Sequence, residues 1–391
     1  MTHQLIRDGR PTCIVVVARR ATETQRLAAD VLRDHLQQAC GKSIPLVDER
    51  AASASHDASV QLVITDASAG FAAEQYTIRS DGSRILFAGH DEGPLFGAPH
   101  DIVGESSPGT LYAVYHFLDR YVGVRWLWPG DAGTYVPRHC DLSVPDLDVR
   151  TRPDLEQRRI NVPQNLQPES LHHDAILWGY AHHFGNRTDL RFVHSFPHWW
   201  EQYHEQYPHL FAAPPEGQSQ PFPRERGVKL CVSQPDVVDF IVEEWRSAGR
   251  PASWCVGPND GAGWCTCANC RTLDNDPGQS MADIWHSRGV CLTGRYTHLW
   301  NQLLPRLRTE RPDARLSCYA YSTYRETRAD TSLHEGVVLA VVHTYDERAR
   351  QQWRNWSAVG AQLFLRPNWF HMGACFPHLP LHRAGDWLCF A

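Results

Sequence analysis

The stretch that most restricts what this chain can become runs from Ser253 to Cys270, SWCVGPNDGAGWCTCANC. Ser253 to Gly257 are small or apolar and predict a short strand, which Pro258, Asn259, Asp260 and Gly261 bring to a stop. In an α/β barrel, side chains reach the mouth of the site from the C-terminal ends of strands. Asp260 is therefore the first candidate for a working carboxylate, with Asn259 beside it as a hydrogen-bonding group. An Asx turn ahead of Gly261 accounts for Asp260 without any chemistry. Trp264 follows, then Cys265, Cys267 and Cys270. Thiolates so spaced suit a soft tetrahedral ion such as zinc, but a closed site takes four ligands and the cluster supplies three. Cys255, His286 or Cys291 completes it only if the fold brings one of them close. A disulfide or a set of buried free thiols explains the spacing equally well. A structural zinc ion is thus one expectation among three, and no other cofactor is expected.

On either side of this stretch, short apolar runs alternate with helical patterns. Cys13–Ala18, Leu46–Val47 and Val60–Thr65 predict strands, and Thr22–Cys40 predicts a helix stopped by Gly41. Asp81 and Gly82 predict a hairpin between Tyr76–Ser80 and Arg84–Ala88, and Gly109–Tyr121 predicts a second helix. Interleaving of this kind predicts a small α/β sandwich. Gly89, Gly93 and Gly97 do not form a phosphate loop. The polar segment His139–Pro153 reads as a linker, dividing the chain into residues 1–145 and 146–391.

Beyond the linker, strands are predicted at Glu156–Asn161, Leu190–His194, Leu230–Ser233, Arg315–Tyr321, Val337–His343 and Gln362–Arg366. Helices are predicted at His172–His183, Pro197–Tyr207, Gln234–Trp245, Ser280–Leu307 and Glu347–Val359. Polar and aromatic residues recur at strand ends, as in a barrel: Arg159 or Asn161, His194, Tyr319, Tyr321, His343, Tyr345, Arg366 and Trp369. The pairs His172–His173 and His182–His183 match no metal motif, and adjacent side chains on a helix do not face one another. They read as surface or mouth-lining groups.

Composition narrows the partners. The net charge of −6 and the lack of a basic arm argue against nucleic acid. Lysine is nearly absent, while 14 Trp, 13 Tyr and 22 His suit pockets that stack on and hydrogen-bond sugars, as well as ordinary packing. The apolar run Ile14–Ala18 is too short for a secretory signal or a membrane span, so no membrane partner is expected. Cytoplasmic is the default compartment, with secretion or a periplasmic address open if the N-terminus is incomplete. Twelve cysteines leave the redox environment open.

Four blocks carry a resemblance: PGTLYAVYHFLDRYVGVRWLWPGDAGTYVP ending at Pro137, VHSF at Val193–Phe196, LCVSQP at Leu230–Pro235 and GPNDGAGWCTCANC at Gly257–Cys270. Together they resemble the bacterial domain-of-unknown-function family 4838, which is similar to the alpha-glucuronidases of glycoside hydrolase family 67. The resemblance extends to about Trp369. It implies an N-terminal α/β domain of the kind that precedes family 20 and family 67 barrels, followed by a (β/α)8 TIM-type barrel.

It also implies glycoside hydrolysis, which uses one carboxyl group as acid and another as nucleophile or base. Asp260 and Asp346 form the expected pair, with Glu347 as a substitute for Asp346 that the helix dipole explains equally well. His194, His343, Tyr321 and Arg366 would bind hydroxyls or a uronate, with Asn259, Tyr319 and Tyr345 beside them. Trp264 or Trp369 would stack on a sugar. Counting strands from Glu156 gives about six before Trp369, so the barrel is expected to be truncated at its C-terminus, and a fragment or degenerate copy is a reading alongside the enzyme. The rivals are a catalytically silent carbohydrate-binding protein and a zinc-stabilised structural protein.

Overall fold

The computed structural model describes residues 2–54, 59–66, 69–96, 106–158, 169–188, 190–274, 276, 278–342 and 347–366. The chain forms two compact units, Met1–Thr188 and Asp189–Ala391.

In the first unit, β1 (Cys13–Val17), α1 (Glu23–Cys40), β2 (Leu46–Asp48), β3 (Val60–Ile64), β4 (Tyr76–Asp81), β5 (Arg84–Gly89), α2 (Gly109–Phe117) and β6 (Asp148–Thr151) build one mixed sheet and its helical cover. The strand order is β6-β4-β5-β3-β1-β2. β2, β1, β3 and β5 run parallel, while β4 is antiparallel to both β5 and β6. α1 starts where the sequence predicts. Thr22 and Gln25 form a reciprocal capping box, and Gly41 closes the helix at φ 70°. Gly82 turns the β4–β5 hairpin at φ 61°, with Asp81 opposite Arg84.

The described residues of 146–158 and 169–188 pack with this unit. Gln157–Arg158 pairs with Gly185–Asn186, and the helix α3 (Glu169–Ala181) places Ile176, Tyr180 and Ala181 in the core that α1 and α2 share with the sheet. The rest of the strand expected at Glu156–Asn161, with Arg159 and Asn161, lies outside the described residues. His183 is drawn inward: it stacks on Tyr76 with ring centroids 5.8 Å apart, and its Nε2 donates to the Tyr112 carbonyl at 3.3 Å. Burial lowers its pKa to about 4 and keeps it neutral.

A buried charge cluster ties the segment down. The Glu74 side chain is fully buried, and it faces Arg158 at 2.8 Å and Arg187 at 3.5 Å.

In the second unit, α4 (Pro235–Ser247), β7 (Ser253–Cys255), α5 (Thr293–Arg308), β8 (Arg315–Ala320), β9 (Val337–Val341), α6 (Glu347–Ala358) and β10 (Gln362–Leu365) surround a parallel sheet of order β7-β8-β9-β10. β9 reads VVLAV and is buried along its whole length, as a strand covered on both faces must be. Trp245 of α4 and Leu299, Trp300, Leu303, Leu304 and Leu307 of α5 belong to the same core. Parallel strands with intervening helices are the alternation that a TIM-type barrel uses, and the described residues hold four such strands.

Three predicted elements form differently. Leu190–His194 makes no strand ladder. Its backbone is held by side chains instead: Ser317 Oγ donates to the Arg191 carbonyl at 2.5 Å, the Tyr319 hydroxyl donates to the Phe192 carbonyl, and the Val193 N–H reaches Cys255 Sγ at 3.3 Å. Leu230–Ser233 contributes one isolated bridge, Leu230 to Phe211. The long helix expected over Ser280–Leu307 is two helices, Met281–His286 and α5, because Ser287 at φ 62° and Gly289 at φ 63° reverse the chain between them. Among the described residues, no helix is long and apolar enough to cross a membrane.

Replacing Glu74 with Gln leaves two arginines facing a neutral amide in a buried site. Urea unfolding of Glu74→Gln is expected to show a loss of about 3–5 kcal/mol, whereas an exposed control such as Asp313→Asn should stay within about 0.5 kcal/mol of the parent.

Candidate functional site

Because β7, β8, β9 and β10 are parallel, their C-terminal ends share one edge of the sheet. Val256–Asp260 leaves β7 at that edge. Gly257 comes so close to a neighbouring segment that a Cβ there would sit 2.3 Å from the Val193 carbonyl oxygen, and its own carbonyl accepts from the Ser195 N–H at 2.9 Å. Two residues on, Asn259 is 4% exposed. Its Oδ1 accepts from the Phe196 N–H at 3.1 Å, and its Nδ2 donates to the Phe196 and Val228 carbonyls, each at 2.8 Å. The amide expected to meet substrate is thus spent on three backbone partners, and it fixes the loop from which Asp260 emerges.

Asp260 is exposed, and its Oδ1 lies 4.0 Å from His194 Nε2. His194 Nδ1 is 2.7 Å from the Pro258 carbonyl, which can only accept, so Nδ1 carries a proton. A neutral His194 therefore presents its Nε2 lone pair towards Asp260. Tyr319 lies beneath, its ring 5.9 Å from His194 and 6.3 Å from Tyr321, with the Arg366 guanidinium 5.2 Å from its centroid. Burial raises the Tyr321 pKa, the nearby Asp260 charge raises it further, and Arg366 pulls it back. Asp260, His194, Tyr319, Tyr321 and Arg366 come from four separate stretches of sequence and converge at one edge.

The other expected residues fall elsewhere. Trp264 is 2% exposed: its Nε1 donates to Ser287 Oγ at 2.8 Å, and Tyr296 and Tyr324 pack edge-on against it. Lys229 Nζ lies 4.7 Å from its ring centroid, so this tryptophan is a core group and offers no open stacking face. Glu347 opens α6 on its exposed side and faces Arg350 and Arg354 at 3.4 Å each. Asp346, His343, Tyr345 and Trp369 lie outside the described residues.

Lys229 carries no signal in the sequence beyond being one of very few lysines. It is 1% exposed and donates to the Asp260 carbonyl at 3.0 Å and the Gly227 carbonyl at 3.2 Å. Burial lowers its pKa to about 7, against a smaller opposing pull from Asp260.

The cysteine cluster sits within the same unit. Cys231, Cys265, Cys267 and Cys270 bring their Sγ atoms within 4.8 Å of one another, an arrangement able to coordinate a metal ion. The fourth member is Cys231, not one of the three residues the sequence suggested. Cys255 lies against Val193, His286 packs edge-on to Phe222, and Cys291 neighbours Thr293. All ten described cysteines are free thiols. Hydrogen bonds received from Cys265 hold the Cys231 and Cys267 thiols below their usual pKa.

The chain belongs to the family described as "Domain of unknown function (DUF4838)", whose model matches residues 128–383. No curated protein matches it. Among solved structures it is similar to the beta-N-acetylhexosaminidase from Bacteroides fragilis NCTC 9343, at 12% identity over 95% of this chain and 73% of that one, with a TM-score of 0.42. It is also similar to the Flavobacterium johnsoniae chitobiase, at 10% identity over 95% of this chain and 57% of that one, with a TM-score of 0.40. The family 20 beta-N-acetylhexosaminidase from Streptomyces coelicolor A3(2) gives 11% identity over 94% and 72%, with a TM-score of 0.39.

Two measurements check this geometry. Asn259→Ala removes three hydrogen bonds, taking from the buried Phe196 N–H and Val228 carbonyl their side-chain partner while the Phe196 carbonyl keeps the Trp199 N–H, and is expected to lower unfolding stability by about 2–3 kcal/mol in urea. For Lys229, the native state loses its proton near pH 7 while the unfolded chain keeps one until its ordinary value of 10.5. The unfolded state then binds more protons, so this group makes stability rise with pH between those values. Between pH 8 and 10 the parent is expected to gain about 1 kcal/mol per pH unit over Lys229→Met, read from paired denaturation curves.

Proposed function

We propose that this chain is a glycoside hydrolase acting on a uronic-acid-containing or related carbohydrate, with Asp260 as its acid/base carboxylate. The observation that carries the reading is the convergence of Asp260, His194, Tyr321 and Arg366 at the C-terminal edge of a parallel sheet, where α/β enzymes deliver their chemistry. The sequence blocks that resemble family 4838, a family similar to the alpha-glucuronidases, support the same chemistry.

In this reading Asp260 protonates the leaving glycosidic oxygen. His194, with Nδ1 committed to the Pro258 carbonyl, accepts a hydrogen bond at Nε2 from a substrate hydroxyl. Tyr321 stays protonated and donates, and Arg366 pairs with a carboxylate on the sugar. Asp346, five residues past the end of β9 in sequence, is the proposed second carboxylate. Glu347 is the weaker choice because Arg350 and Arg354 already hold it on the helix surface. Asn259, Trp264 and Lys229 act by positioning.

A panel of aryl glycosides and aryl uronides tests this. Hydrolysis of at least one uronide is expected, with kcat lowered about 10²–10⁴-fold in Asp260→Asn. Arg366→Met should raise KM about tenfold or more for uronides and leave neutral glycosides unchanged. No turnover of any substrate, combined with calorimetric binding of a uronide that Asp260→Asn leaves intact, would sink the hydrolase in favour of a carbohydrate-binding protein.

A further inference from the structure

We propose that Cys231, Cys265, Cys267 and Cys270 bind one Zn²⁺ as a closed four-thiolate site that staples the loop following β7 to the segment preceding α4. The sulfur geometry carries the assignment. Cys231 Sγ lies 3.5 Å from Cys265 Sγ and 3.7 Å from both Cys267 Sγ and Cys270 Sγ. Four sulfurs at about 2.3 Å from a tetrahedral zinc stand roughly 3.8 Å apart. A disulfide would need about 2.05 Å, so no pair measured here is poised as one. The three distances from Cys231 match that spacing, and every pair among the four sulfurs lies within 4.8 Å.

The surroundings fit ionised sulfur. The Ala213 N–H points at Cys265 Sγ at 3.2 Å, and the Cys270 N–H points at Cys267 Sγ at 3.3 Å. The Ser233 hydroxyl lies 3.6 Å from Cys267 Sγ, to which it can donate, and its oxygen accepts from Cys270 Sγ at 3.3 Å. Donors of this kind fix and stabilise metal-bound thiolates from the outer shell. The loop itself is braced from behind: Arg295 donates to the Cys265 carbonyl at 2.6 Å while its guanidinium grips the buried Asp274 carboxylate at 2.6 and 2.5 Å.

Donor chemistry selects the ion. An all-sulfur set excludes hard cations such as Mg²⁺ and Ca²⁺, and zinc binds such sites more tightly than ferrous iron. Four protein ligands leave no open coordination position, so the ion is structural. Binding by four thiols releases up to four protons and changes no oxidation state. The inference is independent of whether Asp260 is catalytic, and its test uses no glycoside.

The test is elemental analysis and zinc X-ray absorption on the full chain, purified without chelator, alongside Cys231→Ser and the control Cys291→Ser. About one zinc per chain is expected, with four sulfur scatterers at about 2.3 Å. Cys291→Ser should retain the zinc, and Cys231→Ser should bind it at least about tenfold more weakly in competition with a chromophoric chelator. The absorption measurement needs only the parent protein, so the proposal stays exposed even if Cys231→Ser fails to fold. Any of four results would overturn it: iron in place of zinc, a nitrogen or oxygen in the first shell, a Cys267–Cys270 disulfide, or a parent chain that binds no zinc after exposure to a stoichiometric amount.

Discussion

The second unit depends on the amide of Asn259. Three hydrogen bonds from one buried side chain join the end of β7 to Phe196 and to Val228, and each joint sits next to a residue that matters. Asp260 is its neighbour in sequence, His194 lies two residues before Phe196, and Lys229 follows Val228. An amide suits this task because it offers a donor and an acceptor in one rigid plane, and here both are used on backbone that has no strand ladder of its own. Gly257 allows the close approach that makes those bonds reachable. Charge, histidine orientation and loop path at this edge all follow from that neutral clamp.

The same economy recurs in how irregular backbone is satisfied. Residues 191–195 run beside the sheet without pairing as a strand, and side chains of Ser317 and Tyr319 and the sulfur of Cys255 take up their polar groups. Buried backbone has to find partners, and here β8 provides them by turning hydroxyls outward from its own ladder. Tyr319 thereby joins two roles, holding the Phe192 carbonyl while its ring face lies under His194 and Arg366.

Much of this was legible in the sequence where the signal is local. Thr22, Gln25 and Gly41 bracket α1 as helix caps do, and Asp81–Gly82 names its hairpin. Strand ends announced Asp260, Tyr321 and Arg366, because a parallel sheet converts sequence position into a shared edge, whereas His194 joins them from a segment that forms no strand. What escaped was non-local or reversed by a single residue. Cys231 sits in LCVSQP, far from the other three thiols in sequence, and nothing beside it spells a metal motif. Asn259 and Trp264 carry the residue types of a binding site, yet burial turned both to internal use. The apparent long helix before β8 breaks at Ser287, whose left-handed backbone no periodicity reveals.

The spacing of the cysteines also bears on the order in which the unit can assemble. All four lie between residues 231 and 270, whereas the strand that pairs with β7 begins at Arg315. Closing a loop of that length costs slightly less entropy than pairing β7 with β8, by about 0.5 kcal/mol. Contacts between near neighbours in sequence form before distant ones. With zinc bound as proposed, the segment bearing Asp260 is tied to the chain before α4 by links shorter in sequence than any that β8 makes with β7.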